Sequence, residues 1–549
     1  MAKKEEIKLK KSLLLIAWAS SLKEHYQCRD WVPFFKTKFS KFSNFSTRDY
    51  YFRHGIERLN EHFLELIHKE KPDYILISLS YDEIWPQTLH KIKAICPNTI
   101  TIGFFGDDNW RFEDWSRYYA QYFDYVITSE KDTSCYKQSG YKNVRFLHGV
   151  SPLVFHPKHS PNQVYDISFV GMPIRDRAEY LNHLKRQGFN VSIFGRGWES
   201  HPELKENYLG FIDTDKYVDL INRTKINISF SKTILEEKGK KNTQLKGRLF
   251  EVAACKAFML VEYFPDFDLF FPGLSHITFK TKEDLAKKVA LYLENESERT
   301  KISEELYKLI LKKYTWASQF NKFFRELTAL DPNSQQESNL SEKFVELSCD
   351  DLNGPDKLIF NKLNSADIVL FNESTTIANK FRSKLQIQSL NFSSKPLSWC
   401  DTYLSNFLLG RYSLIMVNKA VKSGNINNLA QVCSLSQLAV KKDFLIKNLQ
   451  RFRRFNTQDK IWLLDESRAS FISIPLVQIK SRPNKHNLLS EYSRQIFLDK
   501  IYGYWLRKDF LSPYLYLVIL ELILNSNVRK AIFNKFKDPT IQHKLKNNF

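Results

Sequence analysis

The 549-residue chain has no CxxC spacing, no internal repeat of fixed period and no apolar run long enough to cross a bilayer. Its seven cysteines, Cys28, Cys96, Cys135, Cys255, Cys349, Cys400 and Cys433, stand singly. An odd, unpaired set argues against a disulfide framework or a structural zinc site and fits reduced thiols in a cytoplasmic protein. The longest apolar stretch, YLYLVILELIL from Tyr514, is broken by Glu521. It falls well short of the roughly 20 residues a spanning helix needs. The N-terminal MAKKEEIKLKKSLLLIAWASS copies a secretory signal only superficially, because Glu5 and Glu6 interrupt the basic region and the apolar part is short. It reads as the first strand of an α/β domain.

What the chain does have is aromatic residues and positive charge. The 43 Phe, 26 Tyr and 10 Trp exclude disorder outside short linkers. With 82 Lys and Arg against 61 Asp and Glu, the net charge is +21. That balance favours an anionic partner (nucleic acid, a membrane surface or a phosphorylated small molecule), or else marks a solvated lysine-rich surface.

The length predicts three or four domains. From Ser12 to about 150, apolar strand-length runs (SLLLIAWAS, DYILISLS, TITIGFFGDD, DYVITSE, NVRFLHGV) alternate with helical segments. Strands of near-continuous apolar character between helices predict a parallel sheet covered on both faces. The proline-punctuated HGVSPLVFHPKHSPNQ, 148–163, reads as a hinge. The alternation then restarts with YDISFVG, NVSIFGRGW, INISFS, AFMLVEY and HITFK as strands, and 283–314 is predicted to be helical throughout. The expected organisation is an N-terminal Rossmann-like domain (1–150) and a second Rossmann-like domain (151–330) facing it across a cleft. A polar linker (331–343) and an accessory domain (344–549) follow, the latter α/β or mostly helical. Ligands in such sheets bind beyond the carboxyl ends of the strands.

Several side chains are candidates for that cleft. Gly171 ends a strand, and Arg175 and Arg177 open the next helix, where unpaired N–H groups and the dipole suit a diphosphate; solvated arginines are the alternative. Gly195 and Gly197 flank Arg196, as a close ligand approach or a plain turn would require. Lys225 precedes a buried strand, as a phosphate contact or a surface lysine. Arg248 and Glu251 share one helix face, either as an ion pair or as a ligand grip in which the carboxylate accepts from vicinal hydroxyls. In the first domain, Asp107 and Asp108 end a strand and His148 ends another. One Asp serves as general base or acceptor-binding carboxylate, or both cap a turn.

Taken in order, these segments resemble the CgeB-like branch of the two-domain (GT-B) glycosyltransferases over about 12–330. The strand ending FVG and the arginine at 177, the lysine of KIN at 225, RLFEVAA from Arg248, LHGVSPLVFHP at the hinge, GFFGDD and KYTWASQFNKFF carry the resemblance. It implies a metal-independent transferase with no cofactor, since the nucleotide sugar is a substrate. Glu251 would hold ribose or sugar hydroxyls, and Arg177 and Lys225, with Arg248, would neutralise the diphosphate. The acceptor would be a glycan, a lipid-linked saccharide or a protein; nucleic acid is not expected. Where the family usually has glycine after the small residues of the last motif, this chain has Lys256, which puts the shape of the donor pocket in doubt. An inactive nucleotide-sugar- or glycan-binding protein is the alternative. The region after 344 faintly resembles the distal half of a family-two (GT-A) enzyme without its metal motif. The basic tail from Arg529 fits either peripheral contact with the inner face of a membrane or a simply solvated segment.

Overall fold

Near-continuous apolar runs become fully buried strands: every residue of the YILIS segment is buried. The computed structural model describes residues 9–18, 26–79, 83–158, 162–232, 243–327 and, with short internal gaps, 343–404 and 438–479. The linker, the apolar stretch at Tyr514 and the basic tail lie outside the described residues. No described helix is long and apolar enough to cross a membrane.

The first unit is a six-stranded sheet of β1 (Leu9–Ala17), β2 (Phe39–Ser46), β3 (Tyr74–Ser78), β4 (Ile100–Phe105), β5 (Tyr125–Thr128) and β6 (Val144–Phe146), in the order β2-β1-β3-β4-β5-β6. Every pairing in it is parallel. The helix Tyr26–Lys38 and strand β2 were not anticipated from sequence. Pro33 inside that helix and the Ser- and Lys-rich text of β2, which is only partly buried, hide both from a periodicity argument.

The second unit is a five-stranded parallel sheet of β7 (Tyr165–Val170), β8 (Val191–Phe194), β9 (Thr224–Ser229), β10 (Met259–Glu262) and β11 (Thr278–Phe279). Its order, β11-β10-β9-β7-β8, reverses direction between β7 and β9, and the crevice outside the carboxyl ends at such a reversal is where ligands settle. The segment expected to be one long helix is two, Lys282–Glu294 and Glu296–Lys313, broken at the non-helical Asn295.

Two chain segments cross side by side between the units. Val150 N donates to Tyr314 O at 2.9 Å, and Trp316 N to Val150 O at 3.0 Å. A side chain on Gly149 would begin 3.0 Å from Trp316 N, so this crossing needs glycine. The helix Trp316–Leu327, within the sequence span expected for the second unit, instead buries Trp316, Phe320, Phe323 and Phe324 against the first sheet. Both units are therefore clasped by the same hinge.

The third unit is a mixed six-stranded sheet of β12 (Phe344–Ser348), β13 (Ile368–Asn372), β14 (Thr376–Ala378), β15 (Leu397–Leu404), β16 (Leu438–Lys441) and β17 (Ala469–Ile479). Its order is β12-β13-β16-β15-β17-β14. It leans on the first unit: Leu385 and Cys400 share that unit's core, and Gln121 and Gln388 exchange amide hydrogen bonds at 3.2 Å.

Candidate active site between the two units

The carboxyl ends of the two parallel sheets meet across a seam spanned by side chains. Arg29 Nη1 donates to Thr214 Oγ1 at 3.2 Å, and Gln244 Nε2 donates to both Asp107 Oδ1 and Glu130 Oε1 at 3.1 Å.

On the second unit's side the helix Gly247–Ala254 points its amino end at this seam, and the side chain of Lys246, ahead of it, does not cap it. Arg248 and Glu251 are joined through a third group: Arg248 Nε donates to Tyr217 Oη at 3.2 Å, and Tyr217 Oη to Glu251 Oε2 at 3.2 Å. Burial raises the Glu251 pKa, opposed by the nearby Arg248 and Arg29. The opening pair of the motif is thus a three-membered chain, and its tyrosine carries no sequence signal of its own.

Arg177 is 7% exposed at the start of the helix Arg177–Arg186. Its guanidinium donates to the carbonyls of Met172 (3.1 Å) and Lys232 (3.2 Å) and lies 5.7 Å from both the Phe169 and Phe230 ring centroids. Burial and the neighbouring Arg248 depress it to about 10. Lys246, missed in the sequence although it directly precedes the GRLFE motif, donates to Gln244 Oε1 at 2.6 Å. Burial first, then Arg177 and Arg248, lower it to about 8, against the pull of Asp107 and Glu130. Arg177, Lys246 and Arg248 thus gather at one edge, and each donates to a neutral oxygen.

Lys225 is not among them. It starts β9, at the opposite, amino-terminal edge of the sheet, and pairs with Asp166 of β7 at 2.7 Å. A lysine before a parallel strand lies one strand length from the ligand edge, which removes it from the donor site. Lys256 is also remote from the seam. It follows the carboxyl end of the helix Gly247–Ala254 at φ 55° and bonds Glu304 at 2.5 Å. A left-handed residue there is a helix stop that glycine fills most easily, so the departure at Lys256 concerns chain geometry. Lys225 and Lys256 line a separate cavity of about 200 Å³ with Lys158, Asn222, Arg299 and Ser303.

The glycines serve the backbone. A Cβ on Gly195, at φ 131°, would lie 2.2 Å from Gly171 O, so the ends of β7 and β8 can approach only without it. Trp198 Nε1 fixes the same carbonyl at 2.7 Å. Arg175 sits in the turn ahead of its helix at φ 59°.

On the first unit's side the two aspartates part company. Asp107 is exposed, at φ 59°, and reaches the seam. Asp108 is 4% exposed and turns inward, accepting from Ser116 (2.5 Å), Thr128 (2.7 Å) and Tyr136 (2.6 Å). Burial raises it to about 6 despite those hydroxyls. With both oxygens so occupied, Asp108 is a structural group and not a base for an acceptor. His148 stacks between Phe250 (4.7 Å) and Trp316 (6.2 Å), and its Nδ1 is buried without a partner among the described residues. Burial lowers it to about 4, so the imidazole is neutral. Glu130, two residues past β5, was overlooked; its place just beyond a parallel strand's carboxyl end is the signal that could have found it.

Against known proteins, residues 175–325 match the model of a family described as glycosyl transferase-like. The likeness covers most of the second unit and the helix that returns to the first. The spore protein CgeB of Bacillus subtilis (strain 168) is 24% identical over 211 residues, which are 35% of this chain and 64% of that relative. The chain thus spans under two thirds of the curated relative's length. Two solved structures each align over 58% of this chain and all of their own at 10% identity and a TM-score of 0.41. They are Anabaena HepE in complex with UDP and glucose, and sucrose-phosphate synthase of Thermosynechococcus elongatus. At that similarity the fold rests on the two sheets themselves. All five side chains that this unit brings to the seam, Arg177, Tyr217, Lys246, Arg248 and Glu251, lie within the matched span.

Proposed function

We propose that the protein is a metal-independent glycosyltransferase, moving a sugar from a nucleotide donor held by the second unit to a hydroxyl presented by the first. The observation that carries this reading is the trio Arg177, Lys246 and Arg248. Three cations crowd one sheet edge, and their hydrogen bonds go to carbonyl, amide and phenol oxygens. The carboxylates nearby, Glu262 and Asp176 for Arg177, Asp107 and Glu130 for Lys246, offset burial and mutual repulsion only in part, so a further anion is favoured at this edge.

A diphosphate supplies that anion, and its charge grows as the sugar leaves. Fixed cations then stabilise the transition state more than the ground state. The uncapped amino end of the helix Gly247–Ala254 adds N–H donors to the same place. Glu251, one turn along, is oriented by Tyr217 to accept from vicinal hydroxyls of the donor. The acceptor approaches from the first unit, where Asp107, Glu130 and the neutral His148 line the facing edge.

Release of nucleoside diphosphate from a panel of nucleotide sugars tests the reading, with UDP, GDP and ADP titrations alongside. Binding of at least one diphosphate and release from the matching sugar donor are expected. A chain that binds none of them has no donor site.

A further inference from the structure

We propose that Glu130 is the proton acceptor for the attacking hydroxyl. This rests on the transferase reading above and assigns its base.

The assignment starts from position. Glu130 follows β5 at the carboxyl edge of the first sheet, on the same seam as the cation trio. Its Oε1 accepts from Gln244 Nε2, and Gln244 Oε1 accepts from Lys246 Nζ at 2.6 Å. One amide thus joins the first unit's carboxylate to a cation of the donor side, so a donor seated on Lys246 lies one residue away from Glu130. Among the other acids here, Asp108 is consumed by three hydroxyls in the core, and Asp107 stands exposed beside the same Gln244 amide.

The step balances. The acceptor O–H gives its proton to the Glu130 carboxylate as its oxygen bonds the anomeric carbon. The bond from that carbon to the diphosphate breaks, and its electron pair leaves on the diphosphate, facing Arg177, Lys246 and Arg248. The products are the glycoside, a nucleoside diphosphate and a neutral Glu130.

The surroundings suit a base that works near neutrality. Burial first, then Asp108 and Asp107, raise the Glu130 carboxyl to about 7, while the Gln244 amide and Lys246 hold it down. His148, which faces Asp107, stays neutral over that range.

The test is Glu130→Gln in the full chain. Glutamine keeps the oxygen that Gln244 bonds, so a purely structural Glu130 would leave this variant silent. The expected result is a drop in nucleoside diphosphate release of about 10²-fold or more, with UDP affinity within about twofold of wild type. In wild type, release should rise with pH through about 7, because the base must be deprotonated, and Glu130→Gln should lose that limb. A second variant, Gln244→Ala, breaks the cross-seam bond but keeps the base, and should retain the limb. Wild-type rates and an unchanged pH profile in Glu130→Gln overturn the assignment alone. A wild type that neither binds UDP, GDP or ADP nor releases any of them overturns the transferase reading, and this assignment with it.

Discussion

The two parallel sheets present edges of opposite character to the same seam. The first unit offers Asp107 and Glu130, with Asp108 just behind; the second offers Arg177, Lys246 and Arg248 around an uncapped helix end. Both edges are the carboxyl ends of strands, so the shared architecture selects the location and leaves the charge to the side chains. An acidic edge suits hydroxyls and protons, and a cationic edge suits phosphate. The difference teaches that a two-sheet cleft can be divided into chemical halves without any change of fold.

The sharpest way to break this comparison is Arg248→Ala. Removing a cation that faces a developing charge should lower nucleoside diphosphate release by about 10²–10³-fold, with the melting temperature little changed. An equal loss of folding would make Arg248 a structural residue.

Gly195→Ala attacks the frame of the cationic edge. The added methyl meets Gly171 O at 2.2 Å, and a strained, clashing backbone of this kind costs about 2 kcal/mol or more. Urea denaturation should show it; an unchanged midpoint would mean the β7 and β8 ends can move apart freely.

Lys246→Met sharpens the charge argument in both directions. UDP affinity should fall about tenfold, as loss of a hydrogen bond to a charged group predicts. Stability should follow the opposite sense with pH. The folded Lys246 is depressed to about 8 from 10.5, so between those values the unfolded chain binds more protons and wild-type stability rises with pH. The methionine variant should lack that rise in denaturation curves taken from pH 7.5 to 10.5.

The smallest effect belongs to Lys225→Ala. A half-exposed pair with Asp166 is worth about 0.5 kcal/mol at most, and UDP affinity should not move. A large loss of binding would return Lys225 to the donor site and undo the division between the two ends of the second sheet.

Lys225 and Lys246 show how much of the site the sequence could carry. Both are lysines near a recognisable motif, one before KIN and one before GRLFE. Motif order made Lys225 the phosphate contact, but order cannot say which end of a strand faces the cleft. Glu251 and Arg248 were legible because a three-residue spacing on a helix fixes a shared face. Their link through Tyr217, 34 residues upstream of Glu251, was not. Asp107 and Asp108 are neighbours in the chain, yet a left-handed turn at Asp107 sends one outward and the other into a nest of hydroxyls.

By itself the sequence determined two runs of buried parallel strands, a proline-marked hinge between them and the motif helix of the second unit. Hydrophobic periodicity and turn chemistry act over a few residues, and a single chain states them openly. Only the tertiary structure decided that the helix Trp316–Leu327 returns to the first sheet, that Lys256 is a helix stop and that Glu130, Gln244 and Lys246 meet across the seam. The return of that helix and the Glu130–Gln244 bond join residues more than a hundred positions apart, and their energies depend on burial and distance, which no local pattern encodes.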